Sequence, residues 1–292
     1  MKSQIEQPIT LPEGVAENVA AALSEDVGSG DITASLVAGG ANAHAEIITR
    51  EDCIFCGNPW INEVCRQVDP KIEVILRKVD GDAVTADEVI FELKGSAASL
   101  LTAERCILNF VQLLSGTATQ TRSYIDLIKH TRATILDTRK TIPGLRQAQK
   151  YAVRCAGAQN HRMGLFDAFL IKENHIAACG GIAAAVRRAR ENHPGLPVEV
   201  EVENLEQLGE ALAAEVDVAM LDNFNLRTTA QAVALVAGNI KLEASGGVNK
   251  NTLVALAATG VDFISVGELT KNINPIDLSM RFTEKRFTEK SE

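Results

Sequence analysis

From about residue 130 onward the chain alternates β-branched, strand-like runs with alanine-rich amphipathic stretches, and this alternation limits the fold more than any other feature. The strand-like runs fall at residues 134–137, 167–172, 197–203, 217–222, 240–245 and 262–266. Helical stretches separate most of them, at 181–192, 204–214, 226–237 and 249–259. Parallel strands need a long crossover, usually a helix, so the pattern predicts parallel β/α units. Six strands leave a closed or incomplete β/α barrel in competition with an open doubly wound sheet. No Gly-x-Gly-x-x-Gly follows any run, which counts against a dinucleotide-binding domain.

The earlier part of the chain has another texture. Val15, Val19 and Leu23 recur at helical spacing, and the helix should stop before Gly28-Ser29-Gly30. Strand-like stretches follow at 43–50, 71–79 and 88–93, divided by turn signals such as Asp80-Gly81-Asp82, which suits an α+β layer domain. A helix is predicted over about 100–114. It gathers Ala103, Ile107, Phe110, Val111 and Leu114 on one side and Arg105, Asn109 and Gln112 on the other, so Arg105 should point away from its own core.

Composition excludes several classes. A chain of 292 residues, 46% hydrophobic and 23% charged, is globular in make-up and long enough for one large or two moderate domains. Its net charge of −9 opposes a broad nucleic-acid footprint, so any anion site must be local. No apolar run approaches a membrane span and the first thirty residues lack the pattern of a signal peptide, so no membrane association and a cytoplasmic setting are expected. The six cysteines then read as reduced thiols. Cys53 and Cys56 form a lone C-x-x-C with no second pair to complete a zinc site, and ordinary burial is expected of them. The tail repeats RFTEK at 281–285 and 286–290, too little for a repeat fold, and a frayed charged end is expected.

Barrel chemistry sits where strands end. Here the ends carry Asp137-Thr138-Arg139-Lys140, Lys172-Glu173-Asn174-His175, Glu201 and Glu203, Asp222, Ser245-Gly246-Gly247 and Ser265-Val266-Gly267. Arg139, Lys140, Arg162 and Lys172, with His161 beside them, form a cationic group suited to carboxylates or phosphates, because the guanidinium fork binds such oxygens bidentately. Glu201 and Asp222 oppose it, as ligands for Mg²⁺ or acceptors for sugar hydroxyls. Glu199, Glu201 and Glu203 share one strand face, and the pattern leaves open which of them is used. The glycine turns after the last two strands stand where barrels commonly bind phosphate through backbone N–H groups.

Six ordered segments carry a resemblance: SEDVGSGDIT at 24–33, AERCILNF at 103–110, DTRKTIPGLR at 137–146, NHRMGLFDAFLIKENHI at 160–176, VEVEVEN at 198–204 and LEASGG at 242–247. Together they cover nearly the whole chain, which resembles the quinolinate phosphoribosyltransferases; only the repeated tail departs from the family pattern. The resemblance implies an α/β protein with an N-terminal α/β sandwich domain (1–115, joined by 272–292) and an incomplete, open β/α barrel (116–271), a strand near Leu278 returning to the first domain. It implies phosphoribosyl transfer from phosphoribosyl pyrophosphate to quinolinate with loss of CO2, using Mg²⁺, in a homodimer whose Arg105 crosses to the partner site. Arg139, His161, Arg162 and Lys172 would bind the quinolinate carboxylates. Lys140, Glu201, Asp222, Ser245, Gly246, Gly247, Val266, Gly267 and Glu268 would meet phosphoribosyl pyrophosphate and its Mg²⁺, and Thr138 is a further expected substrate-binding residue. Lys140, Lys172, Glu201 and Asp222 are the expected catalytic residues, and Glu201 and Asp222 the metal ligands.

Three rivals remain at this point. Lys172 at a strand end could form a Schiff base with a carbonyl substrate, but that chemistry has no need of the neighbouring arginines. A related transferase with another substrate would keep the fold, although Arg139, Arg162 and Lys172 favour a dicarboxylate. A non-catalytic anion binder would bind without turnover.

Overall fold

The computed structural model describes residues 11–37 and 41–283, so the RFTEK repeat beyond Thr283 lies outside the described residues. In chain order the first elements are α1 (Val15–Val27), β1 (Asn42–Thr49), β2 (Cys53–Ile54), α2 (Asn58–Val68), β3 (Glu73–Leu76), β4 (Ala83–Val84), β5 (Val89–Ser96) and α3 (Ala97–Ile128). There follow β6 (Thr134–Leu136), α4 (Arg146–Cys155), β7 (Phe169–Ile171), α5 (Glu173–Cys179), α6 (Ile182–Asn192), β8 (Val198–Val202) and α7 (Leu205–Ala213). The chain ends with β9 (Val218–Asp222), α8 (Leu226–Val236), β10 (Lys241–Ser245), α9 (Lys250–Ala257), β11 (Phe263–Ser265), α10 (Glu268–Lys271) and β12 (Leu278–Phe282). Two compact units result. One takes in residues up to Arg122, Ile142–Gly157 and the segment from Asn272; the other is Ser123–Thr141 with Ala158–Lys271.

The first unit is an α/β sandwich. Its antiparallel sheet runs β12-β1-β5-β3, and β2 pairs with β4 beside it. The strand returning from the far end of the chain therefore pairs with β1, Thr49 opposite Leu278 and Ala45 opposite Phe282. Pro59 and the N-cap Gly57 start α2, whose Trp60, Ile61, Val64 and Cys65 make a buried stripe. Trp60 is fully buried, with ring centroids 6.2 Å from Phe110 and 5.7 Å from Tyr151. Tyr151 belongs to α4, which packs into this core with Ala148, Ala152 and Cys155.

The helix predicted over 100–114 is longer than expected, at 32 residues. Ser115-Gly116-Thr117 does not break it, because tertiary bonds hold the run: the Ser115 hydroxyl accepts from Cys56 N–H and donates to the Cys56 carbonyl. Gly116 is required there, since a Cβ would come within 2.3 Å of the Asn274 carbonyl oxygen. By length and composition α3 is the one helix among the described residues apolar enough to cross a membrane, contrary to the first impression from the sequence, yet half of that stretch is buried. Leu100, Ala103, Ile107, Val111 and Leu114 lie in the core of the first unit, and Arg105 and Asn109 are exposed.

The second unit holds six parallel strands in the order β6-β11-β10-β9-β8-β7. From β7 to β11 neighbours in sequence are neighbours in space, and β6 closes beside β11. Winding in one direction is the topology of a barrel and not of a doubly wound sheet, whose order reverses. β6 and β7 are the two ends of the sheet, so the barrel is incomplete. The connection between them supplies no barrel helix, because α4 packs in the first unit.

Candidate active site

Within the second unit a cavity of about 620 Å³ opens at the C-terminal ends of the barrel strands. Every one of the six strands, or the residues just after it, contributes to its wall: Thr138 to Lys140, Lys172, Glu201, Asp222, Ser245 to Gly247, and Gly267. Period-2 alternation puts the i, i+2 residues of each strand on the same face. That is why Glu243 and Ser245 of β10 both line the cavity, as do Met220 and Asp222 of β9.

The cationic residues are held by local backbone structure. Lys140 N–H donates to the Thr138 hydroxyl at 3.1 Å, and its carbonyl accepts from the Thr270 hydroxyl at 2.9 Å. Met163 and Gly164 N–H both donate to Asp167, fixing the turn that follows Arg162. Burial, then the neighbouring Arg139 guanidinium, lowers the pKa of Arg162, with Glu199 and Asp167 opposing. Two arginines side by side in a partly enclosed wall repel each other until an anion joins them. Lys172 caps α5 and forms an ion pair with Glu201.

Beneath this wall lies an acidic floor. His161 Nε2 is 2.9 Å from Glu199 and 3.5 Å from Glu243, and the Glu243 side chain is 1% exposed. Burial, then the Glu199 charge, pushes the Glu243 carboxyl up to about 8. Both effects favour its protonated form. Asp137, fully buried, accepts from Asn160 Nδ2 and from His161 N–H at 2.9 Å.

The glycine turn after β10 has a steric cause. Gly246 adopts φ +93°, and a Cβ on it would meet Asn223 Oδ1 at 2.1 Å. Asn223, itself at φ +54°, donates its N–H to the Ser245 carbonyl, so the two loops lock together. Asn249 then caps α9 by accepting from Asn251 and Thr252 N–H.

Thirteen residues expected from the sequence face one cavity: Thr138, Arg139, Lys140, His161, Arg162, Lys172, Glu201, Asp222, Ser245, Gly246, Gly247, Gly267 and Glu268. Glu268 accepts a hydrogen bond from the Tyr124 hydroxyl. Val266 is not among the lining residues; its side chain is fully buried and its N–H donates to the Leu136 carbonyl. Arg105 belongs to the first unit, exposed on α3. Sequence reasoning missed Asn223, Glu243 and Lys271 in the wall. Glu243 was legible as the i−2 neighbour of Ser245, and Lys271 as one helical turn beyond Gly267.

Two groups of side chains among the described residues could hold a metal ion, with ligand atoms within 4.8 Å of one another: His161, Glu199 and Glu243, and, in the first unit, Cys56, Asp80 and Cys155. The second group has no spacing signal in the sequence, since Cys56 meets Cys155 instead of Cys53. Its Asp80 already accepts from Gly57 and Asn58 N–H and from the Tyr151 hydroxyl at 2.6 Å. All six cysteines carry free thiols, five of them buried.

A parallel β/α barrel with arginines and lysines facing carboxylates at its strand ends is the site of an enzyme acting on small anions. Residues 31–115 match the family of the quinolinate phosphoribosyl transferase N-terminal domain and residues 117–281 that of its C-terminal domain. The chain is 46% identical over 260 residues to a probable nicotinate-nucleotide pyrophosphorylase (carboxylating) of Bacillus subtilis, covering 89% of this chain and 90% of that protein. It is 39% identical to the nicotinate-nucleotide pyrophosphorylase (carboxylating) of Mycobacterium leprae, covering 92% and 97%. Among solved structures, the nicotinate-nucleotide pyrophosphorylase from Francisella tularensis superposes with a TM-score of 0.92 at 51% identity, covering 95% of this chain and 99% of that one. The chain belongs to the quinolinate phosphoribosyltransferase family and is an enzyme, a phosphoribosyltransferase.

Proposed function

We propose that this enzyme joins quinolinate to phosphoribosyl pyrophosphate and releases pyrophosphate and CO2, giving nicotinate mononucleotide for NAD synthesis. The observation that carries the proposal is the set of charges gathered in one cavity: the cations Arg139, Arg162 and Lys172, the carboxylates Glu201 and Asp222, and glycine turns at the late strands. Two carboxylates of a flat pyridine ring match the paired guanidinium groups and the Lys172 ammonium, each charged hydrogen bond contributing about 1.5–3 kcal/mol. Lys140, Thr138 and the backbone of 245–247 and 267 hold the phosphates of the co-substrate, and the carboxylates accept from its ribose hydroxyls.

Glu201 and Asp222 are hard oxygen donors on adjacent strands, both facing the cavity, and this donor set fits Mg²⁺ with substrate oxygens completing the shell. Held by these two residues, Mg²⁺ would offset negative charge on the departing pyrophosphate. The chain's own residues do the rest by position and preorganised charge. Lys140 stabilises the leaving group while Glu201 and Asp222 stabilise positive charge growing on the ribose. The pyridine nitrogen attacks the anomeric carbon as the C–O bond to pyrophosphate breaks. The resulting pyridinium draws the electron pair of the neighbouring C–CO2⁻ bond onto the ring carbon, CO2 departs, and that carbon takes up a proton. Lys172, freed from Glu201 by the incoming carboxylate, anchors the ring throughout.

The assembly we propose is a homodimer in which each chain lends its exposed Arg105 to the other's quinolinate site. Free thiols at all six cysteines support a reducing, cytoplasmic setting. The test is to offer purified protein, Mg²⁺ and phosphoribosyl pyrophosphate either quinolinate or nicotinate and to follow nicotinate mononucleotide. Product from quinolinate alone supports the assignment; product from nicotinate, or none from either, refutes it.

A further inference from the structure

The three glutamates that alternate along and just beyond β8 have separate environments. Glu203 is exposed, Glu201 pairs with Lys172, and Glu199 is buried beneath His161. Its Oε2 lies 2.9 Å from His161 Nε2, and Glu243 Oε2 lies 3.5 Å from the same nitrogen, so the two carboxyl groups meet at the ring. The other ring nitrogen is engaged too: Nδ1 accepts the backbone N–H of Arg162 at 2.8 Å. A nitrogen that accepts cannot carry the ring proton, so the neutral ring holds it on Nε2, where Glu199 receives it. Oε1 of Glu199 and Oε1 of Glu243 are buried without a hydrogen-bond partner. Two carboxyl groups placed this deep in the barrel, with one oxygen each unsatisfied, cost stability, and both lie within 3.5 Å of the His161 imidazole.

We propose that Glu199, braced by Glu243, is a positioning residue: it fixes the His161 ring so that Nδ1 caps the Arg162 backbone N–H and the Arg162 guanidinium stays in the cavity to grip a substrate carboxylate. Without the acceptor at Nε2 the ring can take the other tautomer, which sets one N–H against another at Arg162. Arg162 needs the hold, because it shares a partly buried wall with Arg139 and repulsion drives the two apart. Asp167 secures the turn from the far side. His161 then acts on the substrate through Arg162, both of its nitrogens being occupied by the protein. The proposal rests on quinolinate being the ligand of this wall, and its test separates the two claims.

Glu199→Asp retracts the carboxylate by one methylene and keeps its charge; Glu199→Gln keeps an acceptor in place. Calorimetric titration of the full chain should give a quinolinate Kd raised about tenfold or more for Glu199→Asp, about threefold for Glu243→Ala, and within about threefold of wild type for Glu199→Gln. The Kd for phosphoribosyl pyrophosphate with Mg²⁺ should stay within about twofold in all of them. In an Arg162→Ala background, Glu199→Asp should add less than about twofold, since it acts through that residue. Independently of any ligand, [¹⁵N]histidine spectra of the five histidines, with His161 assigned by its loss in His161→Gln, should show Nε2 protonated in wild type and mixed tautomers in Glu199→Asp. Wild-type affinity in Glu199→Asp, losses that add to those of Arg162→Ala, or an unchanged ring spectrum would overturn the proposal. A wild-type chain with the predicted ring spectrum and no affinity for quinolinate overturns the substrate assignment instead.

Discussion

Replacing Gly246 by alanine tests the phosphate turn where its geometry is tightest. The residue sits at φ +93°, and the added Cβ meets Asn223 Oδ1 at 2.1 Å, Cγ at 2.7 Å and N at 3.1 Å. Left-handed backbone costs an L-residue about 1–2 kcal/mol. Overpacking against a neighbour costs about 1–3 kcal/mol more. The sum, about 2–5 kcal/mol, falls on an exposed turn that relieves itself by moving, so binding suffers more than folding. If about 1.4 kcal/mol of it is taken from phosphate binding, affinity falls tenfold. Calorimetric titration with phosphoribosyl pyrophosphate and Mg²⁺ should show a Kd raised at least about tenfold, with a melting temperature lowered by only a few degrees. Adding Asn223→Gly removes the Oδ1 and Cγ contacts but not the backbone strain, so it should restore part of the affinity. A Gly246→Ala chain that binds like wild type, or no recovery in the double variant, would refute the reasoning.

Three further outcomes are expected. The Glu243 carboxyl is raised from its ordinary 4.5 to about 8, so the folded chain holds a proton that the unfolded chain has lost; stability is full below about pH 4.5 and falls until about pH 8. Thermal melts from pH 5 to 9 should lose that slope in Glu243→Gln, and parallel slopes in the two proteins would contradict it. Mixing Arg105→Ala with Lys172→Ala chains should restore about a quarter of wild-type turnover, one good site in each mixed dimer, and no rescue in proven mixed dimers would count against a shared site. Gly116→Ala should destabilise the chain by about 1–3 kcal/mol in denaturant titrations despite alanine's better helix propensity, because the Cβ would lie 2.3 Å from the Asn274 carbonyl oxygen; an unchanged midpoint would deny that close approach.

Much of the barrel was legible because its strands are short, β-branched and punctuated by polar ends. Period 2 applied inward from Asp222 and Ser245 would have added Met220 and Glu243, a step the sequence reading did not take. What the sequence hid is tertiary in origin. The strand and helix signals could not say that α4 packs in the first unit, since its buried Ala148, Tyr151, Ala152 and Cys155 suit a barrel helix equally well. The helix expected over about 100–114 runs on to Ile128, with Ser115 held by bonds to Cys56 that no local signal shows. Glu199, Glu201 and Glu203 were equivalent by alternation, and depth in the barrel tells them apart: a neighbour of His161, a partner of Lys172, and an exposed residue. Val266 stood at a strand end like its neighbours, yet its side chain turns into the core.

The central claim is that one cavity transfers the phosphoribosyl group and then strips a carboxylate from the same ring. Quinolinate labelled with ¹⁴C in the carboxyl group next to the ring nitrogen tests both halves in one vessel. The account predicts that labelled CO2 appears only when phosphoribosyl pyrophosphate and Mg²⁺ are present, in equal amount to the pyrophosphate released. Labelled CO2 without the co-substrate, or pyrophosphate release with the label retained in the product, would contradict it.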